Sequence, residues 1–222
     1  MSQKKTALVL GATGLVGTAL LKQLYASETY SKIKVITRRP ISDPANFPKI
    51  DVIELADFSQ MQTVSDQLSA DDVFCTLGTT IKKAGSQPAF YTVDFTYPLA
   101  LAQIARENGA THFLIVTATG ANPQSKIFYN RVKGELEQAL MQIKFPNLTI
   151  LRPSLLLGER QEFRLGERLA QMLGKMLAGL MPARMKPVSA ETVARAMMAL
   201  ADEVQAGTRI VESERIRELG RG

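Results

Sequence analysis

LVLGATGLVG (residues 8–17) runs from an apolar stretch into three glycines and then into an amphipathic helical pattern. Gly11, Gly14 and Gly17 form a G-x-x-G-x-x-G loop. Val16, Leu20 and Leu24 follow at helical spacing. A phosphate group needs bare backbone N–H groups close by and the positive end of a helix dipole; glycines permit that approach. Gly11, Ala12, Thr13, Gly14, Leu15, Val16 and Gly17 are therefore expected to bind a dinucleotide, provided that the loop leaves a first strand and opens a first helix.

The rest of the chain supplies that setting. Short apolar runs recur at TALVL (6–10), IKVIT (33–37), DVIEL (51–55), DDVFCTL (71–77), HFLIV (112–116) and LTILR (148–152). Most are continuous rather than alternating, as in parallel strands covered on both faces. Helical patterns lie between them, including a long one from about Pro88 to Asn108 closed by Gly109. This alternation predicts an α/β fold, a doubly wound parallel sheet of the Rossmann type with ligands at the carboxyl ends of its strands. Residues 164–181 carry a Met- and Leu-rich helical stripe, and a second helix is expected from about Ala190 to Glu203, capped by Ser189. The 222 residues are read as one domain, with residues 155–222 forming a small helical cap on the substrate side. The apolar stripe offers a contact for a second copy or a protein partner.

KVITRRP, at the end of the second strand, addresses the choice of dinucleotide. NAD-selective sites place a carboxylate there for the ribose 2′-hydroxyl, whereas Arg suits the 2′-phosphate of NADP. Arg38 and Arg39 occupy that place with no Asp or Glu beside them, so NADP(H) is the expected cofactor. Asp57 and Phe58, after the third strand, are expected to border the adenine. Leu77, Gly78 and Thr79, after the fourth, should face the rest of the cofactor.

FYNRVKGELE (128–137) places Tyr129 and Lys133 one helical turn apart, at the rim of an apolar face made by Phe128, Val132, Leu136, Ala139, Leu140 and Ile143. Gly134 in mid-helix costs about 1 kcal/mol against Ala, which implies a close approach to this helix. A lysine ammonium and an oxidised nicotinamide both favour phenolate and lower a tyrosine pKa by about 1–3 units. The pair thus suits hydride transfer in which Tyr129 handles the proton.

Taken together, GATGLVG, Arg38-Arg39, VTATGA (116–121), YNRVKGELE and ILRPSLLLG (150–158) resemble the short-chain dehydrogenases/reductases of the extended or atypical kind. Within that group the chain looks most like the oxidoreductases related to the HIV Tat-interacting protein, through the pattern CTLGTT…KAGS…YxxVKGE…RPxxLLxxRQE. The resemblance spans nearly the whole chain. It implies Tyr129 as catalytic acid/base with Lys133 as its partner. It also implies cofactor contacts at the glycine loop, Arg38, Arg39, Leu77, Gly78 and Leu156, with Arg160 and Arg164 lining the site. The family usually carries serine after the fifth strand to hold a substrate carbonyl. Here Thr117-Ala118 stands instead, so Thr117 takes the catalytic hydroxyl role, with Thr119 and Ser125 as substitutes.

The remaining features bound the function classes. The net charge of +6 comes without a dense basic run or aromatic interleaving, so a nucleic-acid partner is not expected. No stretch approaches the ~20 apolar residues of a membrane span. The single cysteine, Cys75, forbids an intramolecular disulfide and suits a reducing cytoplasm. With one histidine, His112, and one cysteine, no zinc site is expected. Three functions fit: an NADPH-dependent oxidoreductase acting on a small carbonyl or alcohol, a non-catalytic NADPH-binding regulator with a protein partner, and an epimerase or dehydratase holding its cofactor tightly. Arg38 and Arg39, suited to exchangeable NADPH, count against the third.

Overall fold

A computed structural model describes residues 4–40, 47–157, 186–203 and 205–221. Seven strands form one sheet in the order β3-β2-β1-β4-β5-β6-β9, and every pairing within it is parallel. These strands are β1 (Lys5–Leu10), β2 (Tyr30–Thr37), β3 (Ile50–Glu54), β4 (Asp72–Cys75), β5 (His112–Val116), β6 (Asn147–Arg152) and β9 (Gly207–Glu212). A second, two-stranded sheet pairs β7 (Leu156–Leu157) with β8 (Val188–Ser189). All six sequence-predicted strands are present. The doubly wound Rossmann architecture and a helical C-terminal region are both present as well.

The continuous apolar runs have a simple cause. Alternate residues of β1 feed opposite cores: Ala7 and Val9 join one, Leu8 and Leu10 the other, and all four are fully buried. The first core lies under α1 (Leu15–Ala26), α6 (Ala190–Asp202) and α7 (Ser213–Leu219). The second lies under a 3-10 segment (Phe58–Leu68), α4 (Tyr97–Glu107) and α5 (Phe128–Ile143). Ser189 caps α6 by accepting the Thr192 N–H at 3.1 Å, as its sequence position implied. Against the sequence reading, the C-terminal region also supplies β9, which extends the sheet beside β6. Arg160, Arg164 and the stripe at 164–181 lie outside the described residues.

The helix expected from Pro88 to Asn108 is interrupted. α2 (Ile81–Ala84) and α3 (Gln87–Tyr91) lead into a π-turn over Thr92–Thr96 before α4 begins, and Gly109 closes the run at φ +88°. A π-turn inserts an extra residue into the helical repeat and so rotates the side chains that follow. Asp94, inside the turn, is completely buried.

The strand order reverses between β1 and β4, each of which runs on toward a different flank. In doubly wound sheets, a crevice for ligands opens at the carboxyl ends of the strands at this point.

Candidate functional site

Two loops meet at that crevice, one after β1 and one after β4. Gly11 has φ +93°, and a Cβ there would fall 2.5 Å from Leu77 N, so only glycine lets the loops touch. Gly14 precedes α1 in extended conformation and donates its N–H to Gly11 O at 3.0 Å. No side chain caps the start of α1, and no acidic residue lies in its first turn. Its leading N–H groups and the positive end of its dipole are therefore left for an anion. A Cβ at Gly17 would overlap Gly11 O, which seats the helix tightly against the loop. Ala12 is buried beneath, while Leu15 is 54% exposed at the edge.

Arg38 and Arg39 emerge exposed from the end of β2. Thr37 shapes the turn by donating its hydroxyl to Arg39 O at 2.8 Å. The Arg38 guanidinium sits 5.4 Å from the centre of the Phe58 ring, a cation–π contact. Phe58 packs edge-on against Tyr97, and the Tyr97 hydroxyl donates to Asp57 Oδ1 at 2.8 Å. The Ser59 N–H and this hydroxyl hold the Asp57 carboxyl below its ordinary range. Arg38, Asp57, Phe58 and Tyr97 thus form one platform at the carboxyl ends of β2 and β3. Asp57 and Phe58 were expected there; Tyr97 was not, although it follows Asp94 and Phe95 in the same helical run.

The third cluster lies under Gly78. Lys133 Nζ approaches Asp94 Oδ1 to 2.7 Å, with the two side chains 4% and 1% exposed. Asp94 Oδ2 accepts the Thr79 N–H at 2.9 Å. Oδ1, by contrast, has no hydrogen-bonding partner of good geometry among the described residues, although the Lys133 ammonium lies against it. A Cβ on Gly78 would stand 3.3 Å from Asp94 Oδ1 and 3.8 Å from Lys133 Nζ, so the bare backbone leaves that ion pair close to the crevice. Tyr129, one turn before Lys133, packs its ring 5.4 Å from Phe90.

Two expectations about this helix are corrected. Lys133 does not sit on a rim but is buried together with Val132, Gly134, Leu136 and Glu137. A charge can be buried so deeply because Asp94 meets it from the π-turn. In addition, the Tyr129 phenol is shifted up rather than down: burial is the largest influence, Lys133 pulls downward, and Asp94 pushes upward again. The close approach inferred at Gly134 is present, and its partner is the backbone of Asn122–Pro123.

Thr117 is held away from free hydroxyl duty. Its Oγ1 donates to Glu137 Oε1 at 2.6 Å and lies 3.3 Å from Leu151 O. Glu137, 2% exposed, is also paired with Arg152, whose Nη1 reaches Glu212 Oε1 at 3.0 Å. Thr119 donates to Arg152 O at 3.0 Å, whereas Ser125 Oγ accepts the Ile127 N–H at 3.1 Å ahead of α5. Glu137 and Asp94 escaped the sequence reading. Tyr129, Lys133 and Glu137 repeat every four residues, and Asp94 is a lone acid in an apolar helical run. Those were the available signals.

Other reactive-looking groups are structural. His112, at the amino end of β5, is buried with Nε2 2.9 Å from Thr149 Oγ1, and burial pushes its pKa down to about 4. Burial pushes the Cys75 thiol up to about 12. Among the described residues, no group of three or more His, Cys, Asp or Glu side chains could hold a metal, and no helix is long and apolar enough to cross a membrane. Leu156, half-buried in β7, packs against the α1–α6 core.

Comparison with known proteins agrees with this picture. The structure of MoeE5 in complex with UDP-glucuronic acid and NAD superposes with a TM-score of 0.72 at 18% identity, over 92% of this chain and 75% of that one, which shows the shared fold. Protein HTATIP2 of Rattus norvegicus is 37% identical over 170 residues, 76% of this chain and 70% of the relative. Protein FMP52, mitochondrial, of Eremothecium gossypii is 36% identical over 218 residues, 96% of each chain. The name of that relative corrects the expectation of a cytoplasmic protein, because a single buried thiol is compatible with any compartment that does not oxidise it. A profile of the HIM1 family matches residues 19–181, most of the chain. The chain belongs to the HIM1 family, together with these HTATIP2 and FMP52 relatives.

Proposed function

We propose that this protein is an NADPH-dependent oxidoreductase that moves hydride to or from a small carbonyl or alcohol, with Tyr129 as its acid/base. The observation that carries the reading is the Lys133–Asp94 ion pair beneath Gly78, one helical turn from Tyr129, at the crevice where the glycine loop ends. The residues present fit a nicotinamide dinucleotide. The start of α1 is uncapped and free of acidic side chains, Gly11 forms a cradle that any Cβ would fill, and the buried Asp94 Oδ1 lacks a donor of good geometry. When bound, the cofactor supplies the hydride.

The protein's residues do the rest. The N–H groups of the glycine loop and α1 hold the pyrophosphate. Arg38 and Arg39 take the 2′-phosphate, the Arg38 plane being already stacked on Phe58. Lys133, held in place by Asp94, would meet the nicotinamide ribose, whose hydroxyls can accept from an ammonium. Tyr129 transfers the proton at the substrate oxygen. Ser125 is the better source of a positioning hydroxyl than Thr117, because its oxygen accepts one N–H and its own hydrogen has no acceptor among the described residues.

One observation favours the second reading, a non-catalytic NADPH-binding regulator: Ala118 lacks a hydroxyl, and that of Thr117 is taken by Glu137. The experiment that separates them is a panel of aldehydes and ketones mixed with NADPH while its absorbance is followed. Substrate-dependent oxidation supports the oxidoreductase. Tight NADPH binding with no oxidation across the panel favours the regulator.

A further inference from the structure

We propose that Tyr97 is a positioning residue for cofactor choice: its hydroxyl holds the Asp57 carboxylate away from Arg38, so that the guanidinium stays free for the 2′-phosphate of NADPH. The inference rests on the reading above in which Arg38 takes that phosphate.

Three features lead to it. First, Arg38 is placed but uncommitted. Thr37 brackets it, donating its hydroxyl to Arg39 O at 2.8 Å and accepting the Arg39 N–H at 3.2 Å. The guanidinium rests 5.4 Å from the centre of the Phe58 ring, which is its one partner among the described residues. Second, a carboxylate stands beside it and does not pair with it. Asp57 directly precedes Phe58 in the chain, and opposite charges so placed commonly close into a bidentate guanidinium–carboxylate pair. Third, both donors that Asp57 meets converge on one oxygen. Its Oδ1 accepts the Ser59 N–H at 2.7 Å and the Tyr97 hydroxyl at 2.8 Å. The Ser59 bond lies within Asp57's own turn. The Tyr97 bond comes from the start of α4, 40 positions along the chain, and ties the carboxylate to a second element. The Tyr97 ring also packs edge-on against Phe58, with centres 5.6 Å apart, so one residue holds both the acid and the platform under Arg38.

Without the Tyr97 bond, Asp57 keeps only the Ser59 N–H, and its carboxylate can swing onto the guanidinium. The 2′-phosphate must then break that pair before it binds, and the displaced carboxylate lies beside a second anion. An exposed ion pair shifts an equilibrium by up to about 5-fold, and the repulsion between the two anions adds to this. NADH carries no 2′-phosphate and meets neither cost. Tyr97 thereby sets the choice between the two cofactors without touching the phosphate.

The test is titration calorimetry of NADPH and of NADH against the cofactor-free parent, Tyr97→Phe and Tyr97→Phe/Asp57→Asn. Tyr97→Phe keeps the ring on Phe58 and removes only the hydroxyl. Its preference for NADPH over NADH is expected to fall about 3- to 10-fold. Taking the ratio of the two affinities cancels any change at the groups that both cofactors share. Asp57→Asn removes the competing charge, so the double change should return the preference to the parent value or above it. Loosened packing alone would not be repaired in this way. An unchanged preference in Tyr97→Phe, or one that stays low in the double change, would overturn the proposal. Equal affinities for the two cofactors in the parent would overturn the role of Arg38 and this inference with it. The titration uses no substrate, so the expected shifts beside an absence of carbonyl turnover would uphold the inference and remove only the oxidoreductase reading.

Discussion

Replacing Gly134 by alanine should destabilise this protein, although the same change in an exposed helix stabilises by about 1 kcal/mol. The added Cβ would overlap backbone atoms of Asn122 and Pro123, well inside the 3.0 Å that real Cβ contacts respect. Neither side can yield cheaply. The loop is fixed by the Asn122 N–H to Asn130 O at 3.0 Å, the Ser125 N–H to Asn122 O at 3.0 Å and the Gln124 N–H to Asn122 Oδ1 at 2.9 Å. On the other side, α5 is anchored by Leu136 and Leu140, both fully buried. Moving the loop away from α5 loses the hydrogen bond to Asn130, about 1 kcal/mol, and overpacking of this kind typically costs about 1–3 kcal/mol more. Set against the gain in helix propensity, the net loss is about 1–3 kcal/mol. Urea denaturation reads it as a lower midpoint at unchanged slope. A Gly134→Ala protein as stable as the parent, or more so, would refute the close approach and with it the position given to Tyr129 by α5.

Other predictions concern the cofactor and the lower edge of the sheet. NADPH should bind more tightly than NADH, and the double change Arg38→Ala/Arg39→Ala should erase most of the difference, since charge-assisted hydrogen bonds are worth about 1.5–3 kcal/mol each; equal affinities in the unmutated protein, measured by titration calorimetry, would contradict this. His112 should make the fold acid-sensitive. Its pKa is about 4 when folded against 6.5 for the free side chain, so between those values the unfolded chain binds a proton that the native state does not. This contribution is full above pH 6.5, falls as the pH drops toward 4, and amounts to at most ~3 kcal/mol. A His112→Asn protein should show a flatter stability profile over that window in urea melts; an identical slope would exclude His112 as the cause.

The central strands could be read from the sequence because each is buried on both faces, which forces a continuous apolar run such as TALVL. The glycine loop was equally legible, since Gly11 and Gly17 answer local steric demands. β9 was missed for the opposite reason. It is an edge strand with Ile210 41% exposed, and its residues do not form a fully buried run. The π-turn was hidden because DFTYPLALAQIA keeps an acceptable helical pattern on either side of the inserted residue. The depth of Lys133 could not be inferred from α5 alone. A buried ammonium requires a counter-charge, and Asp94 arrives from a segment 39 positions earlier in the chain, since 133 − 94 = 39. For the same reason, Thr117 looked like a free hydroxyl until Glu137 was placed beside it. Local geometry and burial left marks in the sequence; charge compensation across elements left only single residues without context.

The most direct measurement compares Tyr129→Phe with the parent in single-turnover oxidation of NADPH by an active carbonyl from the screening panel. The change removes one hydroxyl from a ring held by Phe90 and leaves the Lys133–Asp94 pair in place. Fold and NADPH affinity should therefore stay close to those of the parent, while the chemical step slows at least ~100-fold through loss of the proton donor. Oxidation at the parent rate by Tyr129→Phe would contradict the account.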